Sequence, residues 1–266
     1  MPATLSYEAF GEGEPLIIIH GLFGSKRNWM TLARRLGELA HVIALDLRNH
    51  GDSTHTPAMS FEQMAEDVSH LSEQLGFERV NIAGHSLGGK VAMMHALHYP
   101  ARTTRLMVLD VAPVRYDSGF GPYIEAMQSV PLARIRERRE AERYLADAVA
   151  SPAVRMFLMH NLVRDGDGFR WRLNLDALAH NLDALAGFPD LPADLRYHGP
   201  TTFLRGDRSN YLQPEHEPGI RARFPDARMH TVSDAGHWIH ADQPARVIAE
   251  IGHWLTQPAV HTGAVR

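Results

Sequence analysis

The chain has 266 residues, of which 44% are hydrophobic and 22% are charged. This length suits one large domain or a domain with an insertion, and it is enough to bury a sizeable core. Lys and Arg number 27 against 31 Asp and Glu, so the formal net charge is −4. A protein that binds nucleic acid through its phosphates needs a basic excess, so we expect no nucleic-acid partner. The chain has no cysteine, which excludes disulfides, thiolate zinc sites and cysteine nucleophiles.

The N-terminal residues show neither the basic start nor the apolar stretch of a signal peptide. The aliphatic run nearest to them, Leu16 to Ile19, is far shorter than the ~20 residues needed to cross a bilayer. We therefore expect a cytoplasmic protein with no membrane partner. The oligomeric state cannot be inferred from the sequence.

Short apolar runs alternate with longer amphipathic segments, a pattern typical of βα units around a mostly parallel sheet. Thr4–Phe10 alternates in polarity and predicts an antiparallel edge strand. The strands that we expect to be buried on both faces are Leu16–His20, Val42–Asp46, Val80–Ala83, Leu106–Asp110, Thr202–Arg205 and Met229–Val232. The helices predicted around them are Asn28–Leu39, Phe61–Leu75, Ser86–Tyr99 and Pro244–Leu255.

The alternation stops after Asp110 and resumes at Thr201. We therefore predict an α/β core made of residues 1–112 and 196–266, interrupted by a helical cap (lid) at 113–195. The helices expected in this cap are Pro131–Ala150, Pro152–Val163 and Leu175–Ala186. Opposite charges at Arg136–Glu140 and Arg138–Glu142 predict ion pairs on a solvent-exposed helix. The tail from Pro258 to Arg266 is expected to fray.

Residues 84–88 read Gly-His-Ser-Leu-Gly, a G-x-S-x-G pattern between a predicted strand and a predicted helix. In this context a sharp turn exposes the Ser86 hydroxyl above the sheet, which makes it a candidate nucleophile. The same segment is similar to a phosphate-binding loop, Gly84-x-x-x-x-Gly89-Lys90. Val91, however, stands where that loop needs a hydroxyl to bind magnesium, so nucleotide binding is the weaker interpretation.

A serine nucleophile needs a general base and a group that orients this base. In this architecture the base follows the last strand, where the sequence has His237. His240 and His230 are the nearest alternatives. Because the chain contains 17 histidines, histidine pairs such as His95 and His98 are weak signals, and we expect no metal site.

Three aspartates could orient the base. Asp110 ends the strand next to the one that leads to Ser86, and we expect it to be the acid. Asp207 lies in the usual acid-bearing loop but is offset by two positions from the usual place. Asp176, in the predicted cap, is the third candidate.

Acyl transfer also needs N–H donors for the oxyanion of the tetrahedral intermediate. We assign one donor to the backbone of Leu87, directly after the nucleophile. The other should come from the loop at residues 20–24, where we expect Leu22, with Phe23 as the alternative.

These motifs resemble those of the α/β-hydrolases with a helical cap and, more narrowly, those of the YbfF-type bacterial esterases and the related mitochondrial abhydrolases. The likeness is carried by HGLFGS (20–25), DLRNHGDS (46–53), GHSLGGK (84–90), LDVAPV (109–114) and AGHWIHADQP (235–244). The resemblance implies an α/β-hydrolase fold and serine hydrolysis of carboxylic esters or thioesters without a cofactor. It also favours Asp110 as the acid and implies that Ser209 is an auxiliary polar group near His237.

The hypothesis from the sequence is a serine carboxylesterase for small to medium acyl esters, with a triad of Ser86, His237 and Asp110. An acyl-CoA thioesterase would use the same residues. A ligand receptor with a dormant triad is a further alternative. The expected partner is a small-molecule ester or thioester.

Overall fold

The computed structural model describes residues 1–117 and 119–257. In chain order, its strands are β1 (Tyr7–Phe10), β2 (Pro15–Ile19), β3 (His41–Leu45), β4 (Val80–His85), β5 (Thr103–Leu109), β6 (Leu162–Asp165), β7 (Gly168–Trp171), β8 (Thr201–Gly206) and β9 (Ala227–Val232). Its α-helices are α1 (Met30–Leu36), α2 (Phe61–Gln74), α3 (Leu87–His98), α4 (Gly121–Ser129), α5 (Arg138–Ala146), α6 (Pro152–Met159), α7 (Leu175–Ala186), α8 (Glu217–Arg223), α9 (Ile239–Asp242) and α10 (Pro244–Thr256).

Seven strands form one sheet in the order β1-β3-β2-β4-β5-β8-β9. All neighbours in this sheet are parallel except β1, which pairs antiparallel with β3 at the edge. The predicted antiparallel edge strand and the six predicted parallel strands are present, with ends that differ by up to three residues. The expectation that Met229–Val232 is buried on both faces is wrong, because β9 lies at the other edge of the sheet and is partly exposed. One difference matters for the site, because Asp110 lies just beyond β5 and not within it.

The core has two layers, one on each face of the sheet. Alternate residues of a strand point to opposite faces. In β2, Ile17 and Ile19 join the cluster packed with α2 and α3, whereas Leu16 and Ile18 join the cluster packed with α1 and α10. Burial on both faces explains why the central strands read as continuous apolar runs in the sequence.

Local interactions fix where three of the core helices begin. The Ser60 hydroxyl accepts from the Gln63 N–H at 3.3 Å, and the Gln63 side chain accepts from the Ser60 N–H at 3.1 Å, so a capping box starts α2. The predicted helix at Asn28–Leu39 is instead a 3₁₀ turn at Lys26–Trp29 followed by α1. Helix α3 begins one residue after Ser86, which is its N-cap.

Residues 113–195, hereafter the insertion, connect β5 to its parallel neighbour β8. They contain α4, α5, α6 and α7 and the antiparallel hairpin β6-β7. The prediction of one helix over Pro131–Ala150 is wrong, because only Arg138–Ala146 is α-helical. The helix predicted to reach Val163 ends at Met159, since the hairpin begins at Leu162.

The ion pairs predicted on α5 are also wrong. Arg136 precedes the helix, and Arg138 donates to the carbonyl oxygens of Met159 and Leu162 instead of to Glu142. This arginine thus ties α5 to the end of α6 and the start of the hairpin.

Polar contacts join the insertion to the sheet domain. Asp52 accepts from Lys26 Nζ at 3.2 Å and also from the Arg172 guanidinium of the insertion. The Asn174 amide donates to Asn49 Oδ1 at 3.0 Å. The boundaries at 112/113 and 195/196 stay a prediction, and the tail from Pro258 lies outside the described residues. Within the described part of the chain, no helix is both long and apolar enough to span a membrane.

Candidate active site

Ser86 occupies a strained turn between β4 and α3. Its φ of 53° and ψ of −120° are uncommon for a residue with a side chain. The two glycines of the motif permit close packing around this turn. A Cβ on Gly84 would lie 2.1 Å from the Gly88 carbonyl oxygen, and a Cβ on Gly88 would lie 2.5 Å from the Ile19 and His20 carbonyl oxygens. Glycine is therefore needed at both positions to bring α3 against the strands.

His237 and Asp110, which are 127 positions apart, are brought together by the fold. His237 Nδ1 lies 2.8 Å from Asp110 Oδ2. Because a carboxylate can only accept, Nδ1 carries the hydrogen, and Nε2 is left as the nitrogen that can take a proton. His237 remains partly exposed, whereas the Asp110 side chain has 0% exposure.

The buried Asp110 carboxylate is surrounded by donors. Asp110 has a φ of 52°, and its own N–H donates to the Leu204 carbonyl oxygen at 2.7 Å. Its Oδ1 accepts from the Gly206 N–H at 3.0 Å, and its Oδ2 also accepts from the Ser209 hydroxyl. A buried carboxylate is tolerated when such bonds satisfy it. Ser209, which the resemblance implies to be near His237, thus bonds to the carboxylate that holds His237.

The other two aspartates lie elsewhere. Asp207 is exposed, and its Oδ1 accepts from the Ala235 N–H at 3.2 Å, which shapes the loop that leads to His237. Asp176 is exposed on α7 and accepts from the Gln128 amide at 2.8 Å. Of the three candidate acids, only Asp110 is hydrogen-bonded to His237.

The alternative histidines are engaged in other contacts. The His240 ring stacks on Trp29 with 4.4 Å between ring centroids, and burial lowers the pKa of His240 to about 3. His230 Nδ1 lies 3.1 Å from Glu250. Neither ring has the buried carboxylate partner that His237 has.

Two neighbours that sequence reasoning missed hold His237 in place. The Tyr211 ring stacks on the imidazole, and the Tyr116 hydroxyl donates to the Tyr211 carbonyl oxygen at 2.5 Å. Burial lowers the pKa of His85 well below its usual value, so its ring is neutral and its Nε2–H donates to the His237 carbonyl oxygen at 2.7 Å. The sequence could have indicated His85, because it directly precedes the nucleophile in the serine motif. No sequence pattern indicates Tyr211.

Hydrogen bonds fix the orientation of the peptide groups in the loop at residues 20–24. The Gly21 carbonyl oxygen accepts from the Gly24 N–H at 2.9 Å and from His20 Nδ1 at 2.7 Å. Because the peptide bond is trans, the N–H of Leu22 points to the opposite side. The N–H of Phe23 donates to His50 Nε2 at 3.3 Å, so Phe23 is not a free donor.

The N–H groups of Leu22 and Leu87 donate to no group in the described parts of the chain. Leu87 is the first residue of α3, where backbone N–H groups have no partner within the helix. The helix dipole also makes this end of α3 favourable for negative charge.

Ser86 and His237 line one cavity of about 190 Å³, together with Leu22. The insertion contributes an apolar wall to this cavity, formed by Phe120, Tyr123, Val154, Phe157 and Leu158. The Ser86 hydroxyl forms no hydrogen bond with a described side chain, so it is open to a ligand in the cavity.

Lys90 does not face a phosphate site. It is buried, and its Nζ donates to the carbonyl oxygens of Ala186, at 3.0 Å, and Gly187 at the end of α7. This placement overturns the phosphate-loop interpretation. In residues 1–117 and 119–257, no group of three or more His, Asp or Glu side chains could hold a metal ion.

Comparisons with known proteins show several that are similar to this chain over most of its length. A sequence model of the alpha/beta hydrolase fold family matches residues 14–244. The mouse sn-1-specific diacylglycerol lipase ABHD11 is 42% identical over 254 residues, which cover 91% of this chain and 82% of that protein. The esterase YbfF of Escherichia coli K12 is 32% identical over 91% of this chain and 92% of its own length. A solved structure, a marine microorganism esterase, has a TM-score of 0.90 at 37% identity and covers 94% of this chain and 98% of its own.

Proposed function

The chain belongs to the α/β-hydrolase fold family and is an ester hydrolase, and from this premise we propose that it is a serine carboxylesterase with a catalytic triad of Ser86, His237 and Asp110. The observation that carries the proposal is the 2.8 Å contact between His237 Nδ1 and the buried Asp110, since His237 and Ser86 line the same cavity. A buried carboxylate on one imidazole nitrogen leaves the other nitrogen as the base.

The proposed reaction starts with transfer of the Ser86 proton to His237 Nε2 as the Ser86 oxygen attacks the acyl carbon. In the structure without substrate, the Ser86 hydroxyl and the His237 imidazole are not hydrogen-bonded to each other. Catalytic hydrogen bonds of this kind often shorten only when substrate binds. The imidazolium then gives its proton to the departing alcohol, which leaves an acyl group on Ser86. Water, deprotonated by His237, attacks this acyl-enzyme and releases the acid, and Ser86 recovers its proton.

The oxyanion formed in both steps is assigned to the N–H groups of Leu22 and Leu87. Both groups are free of other partners in the described chain, and the first turn of α3 favours negative charge. Ser209 is assigned an auxiliary role, because its hydroxyl donates to Asp110 and thereby stabilises the charge that orients His237.

The insertion is assigned the role of a cap over the site. Its aromatic and aliphatic side chains form the apolar wall of the cavity, which is suited to an acyl chain. The cavity of about 190 Å³ supports small to medium acyl groups. The names of the relatives, a diacylglycerol lipase and an esterase, are those of ester-cleaving enzymes.

The test is a panel of p-nitrophenyl esters of graded acyl length, with acyl-CoA thioesters of the same lengths, on the wild type and on Ser86→Ala. We expect ester turnover that is highest for short to medium chains and is lost in Ser86→Ala. Faster turnover of acyl-CoA than of the ester at every chain length would identify a thioesterase instead. Unchanged ester turnover in Ser86→Ala would contradict the serine mechanism.

A further inference from the structure

Asn161 is a buried polar residue of the insertion that reaches the sheet domain. It lies between α6 and β6 and is only 3% exposed. Its amide nitrogen donates to the Phe23 carbonyl oxygen at 2.8 Å and to the Leu158 carbonyl oxygen at 3.3 Å. The first of these bonds links the insertion to the backbone of the 20–24 loop across 138 positions of sequence.

The backbone of Asn161 is itself fixed within the insertion. Its N–H donates to the Leu158 carbonyl oxygen at 3.0 Å, and its carbonyl oxygen accepts from the Arg172 N–H at 2.9 Å. The side chain therefore projects from a defined point, and any movement of the insertion would change its distance to Phe23.

The Phe23 backbone is in an unusual conformation that needs support. Its φ is 60°, in the left-handed region that residues with side chains seldom adopt. One side is held by His50, whose Nδ1–H donates to the Arg48 carbonyl oxygen at 2.9 Å, so that Nε2 accepts from the Phe23 N–H. Burial lowers the pKa of His50 to about 3, which keeps the ring neutral and able to accept. The other side, the Phe23 carbonyl, is held by Asn161.

Phe23 directly follows Leu22, whose N–H is assigned to the oxyanion hole. A rotation of the Leu22–Phe23 segment would redirect that N–H, because successive peptide planes share the intervening α-carbon. Donors to an oxyanion act only within a narrow range of distance, about 2.7–3.1 Å. The two bonds to Phe23 therefore control a geometry on which transition-state stabilisation depends.

We propose that Asn161 is a positioning residue that couples the seating of the insertion to the alignment of the Leu22 oxyanion donor. The inference rests on the proposed serine mechanism and adds to it. When the insertion is seated, the Asn161 amide holds the Phe23 carbonyl and the donor is aligned. When the insertion moves away, the bond breaks and the donor loses its alignment, so full activity requires a seated insertion.

The chain offers a matched control in Asn181. This residue also lies in the insertion, and its amide donates to a carbonyl oxygen of its own helix, Ala177, at 2.7 Å. The same amide donates to a carbonyl oxygen of the sheet domain, Pro57, at 3.0 Å. Asn181 therefore makes the same two kinds of bond as Asn161, one within the insertion and one to the sheet domain, but it does not contact the 20–24 loop.

The experiment compares Asn161→Asp and Asn161→Ala with Asn181→Asp and Asn181→Ala. Aspartate keeps the shape of the side chain but replaces the N–H donor with a carboxylate oxygen that repels the Phe23 carbonyl, whereas alanine removes the donor without adding a charge. For each variant, kcat and KM are measured with a short p-nitrophenyl ester, and active sites are counted by fluorophosphonate titration so that unfolded protein does not enter the rates. Inhibition constants are measured for a trifluoromethyl ketone, which forms an oxyanion adduct with Ser86, and for the matching methyl ketone, which binds as a ground-state analogue.

We expect both Asn161 variants to lower kcat by about tenfold with a small change in KM, less than the 10²–10³-fold effect of deleting an oxyanion donor. Binding of the trifluoromethyl ketone should weaken by a similar factor, and binding of the methyl ketone should not change. The Asn181 variants should match the wild type in all of these quantities.

Equal inhibitor ratios in the Asn161 and Asn181 variants would overturn the inference and leave the serine mechanism intact. A wild type that does not react with the fluorophosphonate would instead contradict the proposed function itself. A loss of thermal stability in Asn161→Ala alone would not mimic the expected result, because the two inhibitors are compared on the same titrated sites.

Discussion

The Tyr211 ring stacks on the His237 imidazole, with 3.8 Å between the ring centroids and 18° between the ring planes. The stack covers one face of the imidazole while Asp110 holds its Nδ1 edge. An aromatic face attracts a cation, so the contact favours the imidazolium that forms during catalysis. Tyr211 is in turn fixed by the Tyr116 hydroxyl and by the Ser209 hydroxyl, which accepts from the Tyr211 N–H at 3.2 Å.

Replacing Tyr211 with leucine should lower kcat, because the aromatic face that supports the imidazolium is lost. Cation–π contacts are worth about 0.5–2 kcal/mol, so the expected decrease is about 2- to 30-fold. Tyr211→Phe keeps the stacked ring and should retain wild-type kcat. Steady-state kinetics of both variants with one ester make the comparison, and a wild-type kcat in Tyr211→Leu would show that the stack has no role in turnover.

Substitution of Asp110 and of Asp207 tests which aspartate is the acid of the triad. Asp110→Asn should lower kcat by orders of magnitude, with about 10⁴-fold as the effect of the same change in another triad, because asparagine no longer fixes the tautomer and charge of His237. Asp207→Asn is the control, since an amide oxygen can still accept from the Ala235 N–H. Its kcat should stay near the wild-type value. Near-full activity in Asp110→Asn would exclude Asp110 as the acid.

Lys90 should make stability depend on pH. Burial, with a smaller contribution from Arg115, lowers the pKa of Lys90 from 10.5 to about 7. Below pH 7 the amine is protonated in both states and its burial as an ammonium destabilises the fold. Between about pH 7 and 10.5 the unfolded chain binds a proton that the folded chain does not, so stability rises with pH.

The check is the Tm of the wild type minus the Tm of Lys90→Met, measured by calorimetry from pH 6 to 10. Methionine fills a similar volume without a charge, so effects of other titrating groups cancel in the difference. The difference should increase as pH rises above 7. A difference that does not change with pH would mean that the Lys90 ammonium is not desolvated in the folded state.

The sequence predicts the sheet well because burial on both faces leaves a strong local signal, as in Leu16–Ile19. It predicts the insertion poorly for the opposite reason. The run around Arg138 is polar, and whether it is helical depends on contacts such as the bonds from Arg138 to the Met159 and Leu162 carbonyls. The two-residue loop of the insertion's hairpin is Gly166-Asp167, with Gly166 at a φ of 56°, and a glycine at the first position of such a loop is a hairpin signal that could have revealed β6-β7.

Some residues of the site can likewise be predicted from the sequence, and others cannot. Ser86 and His237 are found from motif and chain order, because the reaction fixes the order of nucleophile and base along this fold. Asp110 could only be ranked above Asp207, since the choice depends on which carboxylate reaches the imidazole in space. Asn161 and Tyr211 carry no motif, and their contacts with Phe23 and His237 join distant parts of the chain.

The most direct test of the triad is labelling with a fluorophosphonate, followed by intact-mass and peptide mass spectrometry. We expect one adduct per chain, located on Ser86, with no adduct in Ser86→Ala and labelling slowed by orders of magnitude in His237→Ala, as the proposed triad requires. An adduct on another residue, or labelling that persists unchanged in Ser86→Ala, would contradict it.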